Sequence, residues 1–219
     1  MLEALRTNNP EIPFFSVSDP EFLEYGRVIN DLDATEIIEV AKKIELPEGC
    51  SKYMPSVPEF EALSVAEEIM DRFFGELPTQ IGYTYGHSQK MNALEWHTSS
   101  EINIAVTPLM VLLAKRCEIV DGVIDSSKVK AFYVPQGTVL ECYATTLHFC
   151  PCEATKGGFG WVVALPKGTN LPLDKKPLDM LLFKKNKWLI AHSEHTAALQ
   201  QGAKLGITGK NLVICPVND

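Results

Sequence analysis

The sequence lacks the features that mark nucleic-acid-binding and membrane-spanning proteins. Its net charge at pH 7 is −8, and no run of Lys or Arg is longer than two residues. Binding to DNA, RNA or an anionic membrane surface needs a basic patch, so these partners are not expected. No apolar stretch approaches the roughly 20 residues that a membrane-spanning helix needs, and the first residues carry no signal-cleavage pattern. We therefore expect a cytoplasmic protein that binds neither nucleic acid nor membrane.

Cysteine spacing typical of zinc or redox motifs is also missing. The six cysteines are scattered, and the nearest two, Cys150 and Cys152, lack the two-residue spacer of those motifs. This pattern predicts reduced, buried thiols. Hydrophobic residues make up 46% of the 219 residues and charged residues 22%, which is ordinary for a globular protein with a substantial core.

Residues 1–75 differ in pattern from the rest of the chain. Asp33 precedes an apolar stripe with helical spacing, which predicts a helix over 33–44. A second helix is predicted over 64–74, ended by Gly75. We expect residues 1–75 to form a helical and extended region that packs on the domain that follows.

From residue 76 to residue 219 the pattern predicts a β-barrel domain. Short runs of β-branched and aromatic residues are separated by Gly, Pro, Asp and Ser, which favours a sandwich or barrel of many short strands. A helix is expected over 196–204. The predicted strands are 78–86, 94–106, 109–114, 128–134, 138–143, 145–149, 160–165, the hairpin 177–183 with 187–192, and 212–215.

The predicted strand 94–106 places several polar side chains on one face. Alternate residues of a strand share a face, so Glu95, His97, Ser99 and Glu101 are expected on the same side. Two carboxylates and an imidazole are costly to bury without a partner. A bound divalent metal ion or a polar substrate would make this arrangement favourable.

Other polar residues are candidates for the same site. His148 follows a later strand and is a further candidate ligand, although a single buried histidine can also be a core residue with one hydrogen bond. Glu141 and Tyr143 share a face of the strand before it, so Glu141, like Glu101, is a candidate acid or base and Tyr143 a candidate substrate donor. His87 either lines the mouth of the site and binds substrate or lies in a solvated turn.

The stretch from Glu95 to Pro151 resembles the ureidoglycolate lyase branch of the cupin superfamily. The resemblance covers about a quarter of the chain, in order and with similar spacing. The matching residues are Glu95-Trp96-His97, Thr107-Pro108-Leu109, Val111-Leu112-Leu113-Ala114, Val129-Lys130-Ala131-Phe132, Pro135-Gln136-Gly137 and Thr146-Leu147-His148.

The resemblance implies a mainly β chain with a cupin-type jelly-roll β-barrel and N-terminal helical elements. It also implies a divalent metal ion (Zn, Mn, Ni or Fe) held by Glu95, His97, Glu101 and His148. Two departures concern this site: Glu95 stands where the family's first motif has a histidine, and the histidine usual shortly after the turn at Pro135–Gly137 is missing. The first of these makes the predicted site richer in oxygen ligands.

Three functions remain open from the sequence. The first is a metal-dependent cupin enzyme, of lyase or isomerase type, that acts on a small hydroxy acid, ureido acid or sugar derivative, with Glu101 or Glu141 moving a proton. The second is a non-catalytic barrel that binds a small ligand, and the third is a structural dimer subunit. Cupins often pair through edge strands, so a homodimer is expected.

Overall fold

A computed structural model describes residues 1–218, which are mainly β-structure, as predicted. The α-helices are α1 (Leu2–Asn8), α2 (Thr35–Ala41), α3 (Pro58–Glu61), α4 (Ser64–Phe74) and α5 (Thr196–Gln200). The strands are β1 (Phe14–Ser16), β2 (Gly26–Ile29), β3 (Ser51–Met54), β4 (Thr79–Gly86), β5 (Ala93–Trp96), β6 (Glu101–Ala105), β7 (Leu109–Lys115), β8 (Ile124–Asp125), β9 (Lys130–Val134), β10 (Val139–Cys142), β11 (Thr146–Leu147), β12 (Cys152–Glu153), β13 (Phe159–Pro166), β14 (Leu182–Lys184), β15 (Lys187–His192) and β16 (Lys204–Thr208).

Two sheets enclose a barrel. The front sheet has the order β2-β10-β6-β13-β4-β3, and the back sheet has the order β1-β9-β7-β11 with β12 also paired to β7. β5 lies beside β11 through a bridge between Glu95 and His148. The barrel therefore has two four-stranded layers, β4-β13-β6-β10 and β5-β11-β7-β9. Most successive strands of the chain lie in opposite layers, as in a jelly roll. This strand order confirms the predicted mainly β, jelly-roll fold.

The barrel interior and its two outer faces are packed separately. Inside, residues from both sheets such as Phe132, Leu140 and Trp161 form one buried cluster. On the outer face of the front sheet, Ile102 and Ile104 belong to a cluster shared with α2, α3 and α4. Because side chains alternate along a strand, these contacts direct the remaining residues of β6 into the barrel.

A third sheet covers the outer face of the back sheet. This outer sheet has the order β14-β15-β16-β8, and β5 pairs with β15. Leu94 and Trp96 of β5 pack in the cluster between the back and outer sheets, together with Ile190. The intervening Glu95 is thereby directed to the opposite side, toward the barrel interior.

The N-terminal region supplies edge strands to the barrel. β1 pairs with β9, β2 pairs with β10 and β3 pairs with β4. Since β2 and β3 lie at the two ends of the front sheet, segments before residue 75 occupy both of its edges.

The predicted single strand over 94–106 is wrong. Residues 97–100 interrupt it, because β5 pairs with β15 whereas β6 pairs with β10 and β13, so the chain must cross from one layer to the other. The predicted helix over 196–204 ends at Gln200, and β16 begins at Lys204. The predicted strand 212–215 is replaced by an isolated bridge between Lys90 and Val213.

The longer predicted helices are present. α4 spans Ser64–Phe74 and ends at Gly75, whose φ of 57° is the left-handed conformation that favours glycine at a helix end. α2 is shorter than predicted, and the Asp33 carboxylate accepts a hydrogen bond from the backbone N–H of Thr35 at 2.9 Å. In the described part of the chain, every helix is too short or too polar to cross a membrane.

We expect Phe132→Ala to lower the free energy of unfolding by about 3–5 kcal/mol, because it leaves a cavity in the barrel core. The ring of Phe132 is fully buried and lies 5.6, 5.5 and 5.1 Å from the rings of Phe15, Phe22 and Tyr25. Urea denaturation measures the change. Leu178→Ala is the control, since Leu178 is fully exposed and its truncation should alter the same free energy by less than about 0.5 kcal/mol. Equal effects of the two substitutions would contradict the assigned core.

Candidate metal centre

A cavity of ≈ 280 Å³ opens at the end of the barrel where β5, β6 and β11 meet. Its floor carries carboxylate and imidazole groups, and β13 contributes an apolar wall. The rim comes mainly from β3 and from the loops around residues 88–92, 149–151 and 170. The lining residues are Ser51, Lys52, Tyr53, Thr84, Ser88, Asn92, Glu95, His97, Glu101, His148, Phe149, Cys150, Pro151, Trp161, Val163, Leu165, Asn170, Lys187 and His195.

Four side chains on the floor bring two nitrogens and two oxygens together. His97 Nε2 lies 3.9 Å from Glu95 Oε1 and 3.7 Å from Glu101 Oε2. His148 Nε2 lies 4.0 Å from Glu95 Oε1 and 3.4 Å from Glu101 Oε2. These separations are longer than ordinary hydrogen bonds. The four atoms therefore surround a common point instead of bonding closely to one another.

The orientation of His97 is set by its second ring nitrogen. His97 Nδ1 donates a hydrogen bond to the backbone carbonyl of Asn186 at 2.6 Å. Since a carbonyl can only accept, Nδ1 carries the proton, and burial lowers the pKa of His97, which favours the neutral ring. His97 Nε2 then has a free lone pair, and it is buried with no hydrogen-bond partner among residues 1–218.

His148 is held in a similar way. Its Nδ1 lies 3.2 Å from the carbonyl of Thr146 and 3.8 Å from Cys142 Sγ, and its Nε2 is likewise buried without a hydrogen-bond partner in the described chain. Burial by itself lowers the pKa of His148, but the carboxylate of Glu101 outweighs it and the pKa is raised. In the metal-free protein, His148 is thus the cationic partner of Glu101.

Glu101 stays ionised although it is buried. Burial raises the pKa of its carboxyl, yet His148 and His97 together with a hydrogen bond from Asn103 bring that pKa to about 2. Asn103 Nδ2 donates to Glu101 Oε1 at 3.1 Å, which leaves Oε2 facing the imidazoles. The carboxylate is therefore oriented and charged before any ligand binds.

The two carboxylate oxygens of Glu95 have different neighbours. The ammonium group of Lys187, at the start of β15, contacts Glu95 Oε2, whereas Oε1 faces the two imidazoles. Lys187 also lies 5.5 Å from the centre of the Phe149 ring. Both charged groups are largely buried, with side-chain exposures of 14% for Lys187 and 12% for Glu95, so the attraction between them is weakly screened by water.

This donor set fits a divalent metal ion. Glu95, His97 and His148 offer ligand atoms within 4.8 Å of one another, and Glu101 faces both imidazoles. Ligand atoms about 2.1 Å from one ion lie about 3–3.4 Å apart, so a small contraction of the observed spacing would complete a site. Metal-binding histidines typically donate their other N–H to a carbonyl, as His97 does to Asn186.

Glu141 and Tyr143, predicted for catalysis and substrate binding, lie away from this floor. Glu141 Oε2 accepts a hydrogen bond from Arg27 at 2.7 Å on the outer side of β10. Its neighbours Leu140 and Cys142 occupy the inward positions of that strand. Tyr143 is likewise outside the set of residues that line the cavity in the described chain.

His87 lies near the rim but points to a different group. His87 Nδ1 and Gln89 Nε2 lie 2.7 and 2.6 Å from the two oxygens of the buried Glu153 carboxylate. Ser88, between them, lines the cavity, whereas His87 does not. The structure therefore brings Glu95, His97, Glu101 and His148 together and places His87 in a separate hydrogen-bonded group.

Sequence patterns did not indicate four further lining or supporting residues: Tyr53, Asn170, Asn186 and Lys187. Asn186 lies between the two strands of the predicted hairpin, and its φ of 54° agrees with a turn there. The local sequence around Asn186 and Lys187 does not indicate that they contact His97 and Glu95. The roles of Asn186 and Lys187 arise from pairing between β5 and β15, which are about 90 residues apart in the sequence. Tyr53 is placed by the pairing of β3 with β4, and Asn170 by a backbone hydrogen bond to Lys185.

Comparison with known proteins gives one family match. The family described as "Domain of unknown function (DUF4867)" matches residues 14–212. Among curated proteins, none matches this chain significantly.

Solved structures with a similar chain path include oxalate decarboxylases. A single-site mutant of Bacillus subtilis oxalate decarboxylase OxdC has 10% identity and a TM-score of 0.33, covering 57% of this chain and 28% of that chain. The Lactobacillus farciminis oxalate decarboxylase formate complex has 10% identity and a TM-score of 0.36, covering 57% and 31%. The chain thus spans less than a third of the length of these proteins, and the jelly-roll assignment rests on its own strand order.

In the metal-free protein at pH 6.5, we expect His97 to be neutral with its proton on Nδ1 and His148 to be charged. Burial lowers the pKa of His97, whereas Glu101 raises that of His148. Nitrogen-15 NMR of the imidazole rings distinguishes these forms, and His97→Gln assigns the signals. A charged His97 ring, or a proton on its Nε2, would contradict the geometry.

Proposed function

This chain belongs to the DUF4867 family, and from its site we propose that it is a metal-dependent cupin enzyme acting on a small hydroxy acid, ureido acid or sugar derivative. One observation carries the proposal. The Nε2 atoms of two buried, oriented imidazoles have no hydrogen-bond partner among residues 1–218, and they face two carboxylate oxygens inside a barrel cavity. Leaving such atoms unpaired is costly unless a ligand binds them.

His97, His148, Glu95 and Glu101 would hold the ion. Two imidazoles and two carboxylates suit Mn, Fe, Ni or Zn, since borderline and harder cations accept this mixture of nitrogen and oxygen. When bound, such an ion polarises a carbonyl or hydroxyl oxygen of a substrate. The two protein carboxylates offset its charge.

The other lining residues prepare the cavity for a small polar molecule. Trp161, Val163 and Leu165 of β13 limit access of water on one side and strengthen the electrostatic interactions inside. Of the two residues predicted to move a proton, only Glu101 lies in the cavity. Its bond from Asn103 fixes which oxygen faces the substrate space.

A second function, a barrel that binds a small ligand without turnover, is favoured by one observation. Glu141, the other predicted proton-transfer residue, pairs with Arg27 outside the cavity. In a binding protein, the same metal and lining residues would retain the ligand without a separate base.

We expect the wild-type protein to retain about one divalent metal ion per chain and His97→Gln or His148→Gln to retain less than about a tenth of that amount, because each removes a ligand atom. Elemental analysis by mass spectrometry after dialysis measures the content. His87→Gln is the matched control, because His87 pairs with Glu153 outside the cavity, and its metal content should equal that of wild type. Equal content in all four proteins would overturn the metal site.

Turnover separates the enzyme from the binding barrel. We expect the metal-loaded protein to convert at least one compound from a panel of sugar acids, sugar phosphates, small hydroxy acids and ureidoglycolate, as followed by NMR, and His97→Gln to abolish the conversion. Ureidoglycolate is included because the Glu95–Pro151 stretch resembles the ureidoglycolate lyase branch. Binding of a panel member without conversion would support the second function.

A further inference from the structure

The turn between β14 and β15 supports the cavity at three points. The carbonyl of Asn186 accepts the His97 hydrogen bond, and the Lys187 ammonium contacts Glu95. The carbonyl of Lys185 accepts a hydrogen bond from the backbone N–H of Asn170 at 2.9 Å. One turn therefore fixes both the metal-ligand side of the cavity and the loop that carries Asn170.

Asn170 and Tyr53 form a polar pair that the metal centre does not use. Asn170 Nδ2 donates a hydrogen bond to Tyr53 Oη at 3.0 Å, and both residues line the cavity. Asn170 Oδ1 is buried with no hydrogen-bond partner in the described chain. Tyr53 Oη already accepts a bond, so its own proton remains available for donation.

The Tyr53 proton stays on its oxygen. Desolvation of its oxygen at the cavity, together with the carboxylates of Glu101 and Glu95, raises the pKa of Tyr53, although 37% of the residue's surface is exposed. The pair therefore offers one O–H donor and one amide-oxygen acceptor side by side. A ligand hydroxyl group, which both accepts and donates, matches this combination.

The charges around the cavity favour a negatively charged ligand. The lining carries the carboxylates of Glu95 and Glu101 and the ammonium groups of Lys187 and Lys52. A divalent ion balances the two carboxylates, which leaves Lys187 inside and the exposed Lys52 at the rim as excess positive charge. Burial lowers the pKa of His195, so this ring adds no charge at neutral pH.

We infer that the cavity takes a hydroxylated organic monoanion of the sugar-acid class, with its carboxylate group near Lys187 and a hydroxyl group bound by Tyr53 and Asn170. This inference rests on the metal-dependent function proposed above and selects one substrate class within it. Tyr53 and Lys187 are then the residues that determine specificity. The apolar wall formed by Trp161 and its neighbours on β13 packs against the carbon chain.

Calorimetric titration of the Mn²⁺-loaded protein tests the inference with four probes: D-gluconate, D-glucuronate, hexanoate and sorbitol. Hexanoate keeps the charge without hydroxyl groups, and sorbitol keeps the hydroxyl groups without charge. We expect at least one sugar acid to bind about tenfold or more tightly than both controls, because a charge-assisted contact and a satisfied buried hydrogen bond each contribute about that factor.

Two variants test the Lys187 contact and the Tyr53 contact separately, and each variant has a matched control. Lys187→Met should reduce sugar-acid affinity to about that of sorbitol, whereas Lys185→Met, in the same turn but paired with Asp174 at the surface, should leave it unchanged. Tyr53→Phe should remove the preference over hexanoate. Tyr143→Phe, outside the cavity, should retain that preference.

Metal content and thermal unfolding are measured for every variant. Equal affinity of wild type for all four probes, or unchanged preferences in folded, metal-loaded Lys187→Met and Tyr53→Phe, would overturn this inference alone. A wild-type protein that retains no divalent metal would overturn the proposed function and, with it, the charge balance used here.

Discussion

The structure depends on one electrostatic constraint: two carboxylates and two imidazoles are buried within about 4 Å of one another in the mouth of a barrel. Charged groups removed from water need partners, so each of these side chains is held by a second contact. Asn186 holds His97, Thr146 holds His148, Asn103 holds Glu101 and Lys187 holds Glu95. The ligand atoms that remain unpaired all face the same space.

Jelly-roll connectivity explains why these groups meet. Glu95 and Glu101 lie on strands of different layers, and the chain crosses between the layers at residues 97–100. His148 returns beside Glu95 through a two-way backbone bridge, with N–H to O distances of 2.6 and 3.0 Å. The outer sheet then closes the site from behind, because β15 pairs with β5 and brings Asn186 and Lys187 to it.

Local patterns were enough to predict the mainly β fold and to select the four residues that converge. Glu95, His97 and Glu101 stood out because three polar groups interrupt an apolar stretch at alternate positions. The prediction that one continuous strand carries all three was wrong. Glu141 was selected by the same alternation, but its side chain pairs with Arg27 outside the barrel. Alternation separates the residues of a strand into two faces, but it does not show which face points into the barrel. Tyr53, Asn170 and Lys187 carried no local signal, because their positions depend on pairings between distant segments.

The span of sequence that builds the cavity has a consequence for how the protein reaches its native state. The residues that line the cavity range from Ser51 on β3 to His195 after β15, and the last contacts that support candidate ligands come from the β14–β15 turn. Contacts between such distant positions require costly loop closure and form late and slowly. During synthesis, a ribosome-bound chain that has not yet exposed β15 has Glu95 and His97 without their supports, so tight cation capture is coupled to the synthesis and docking of that strand.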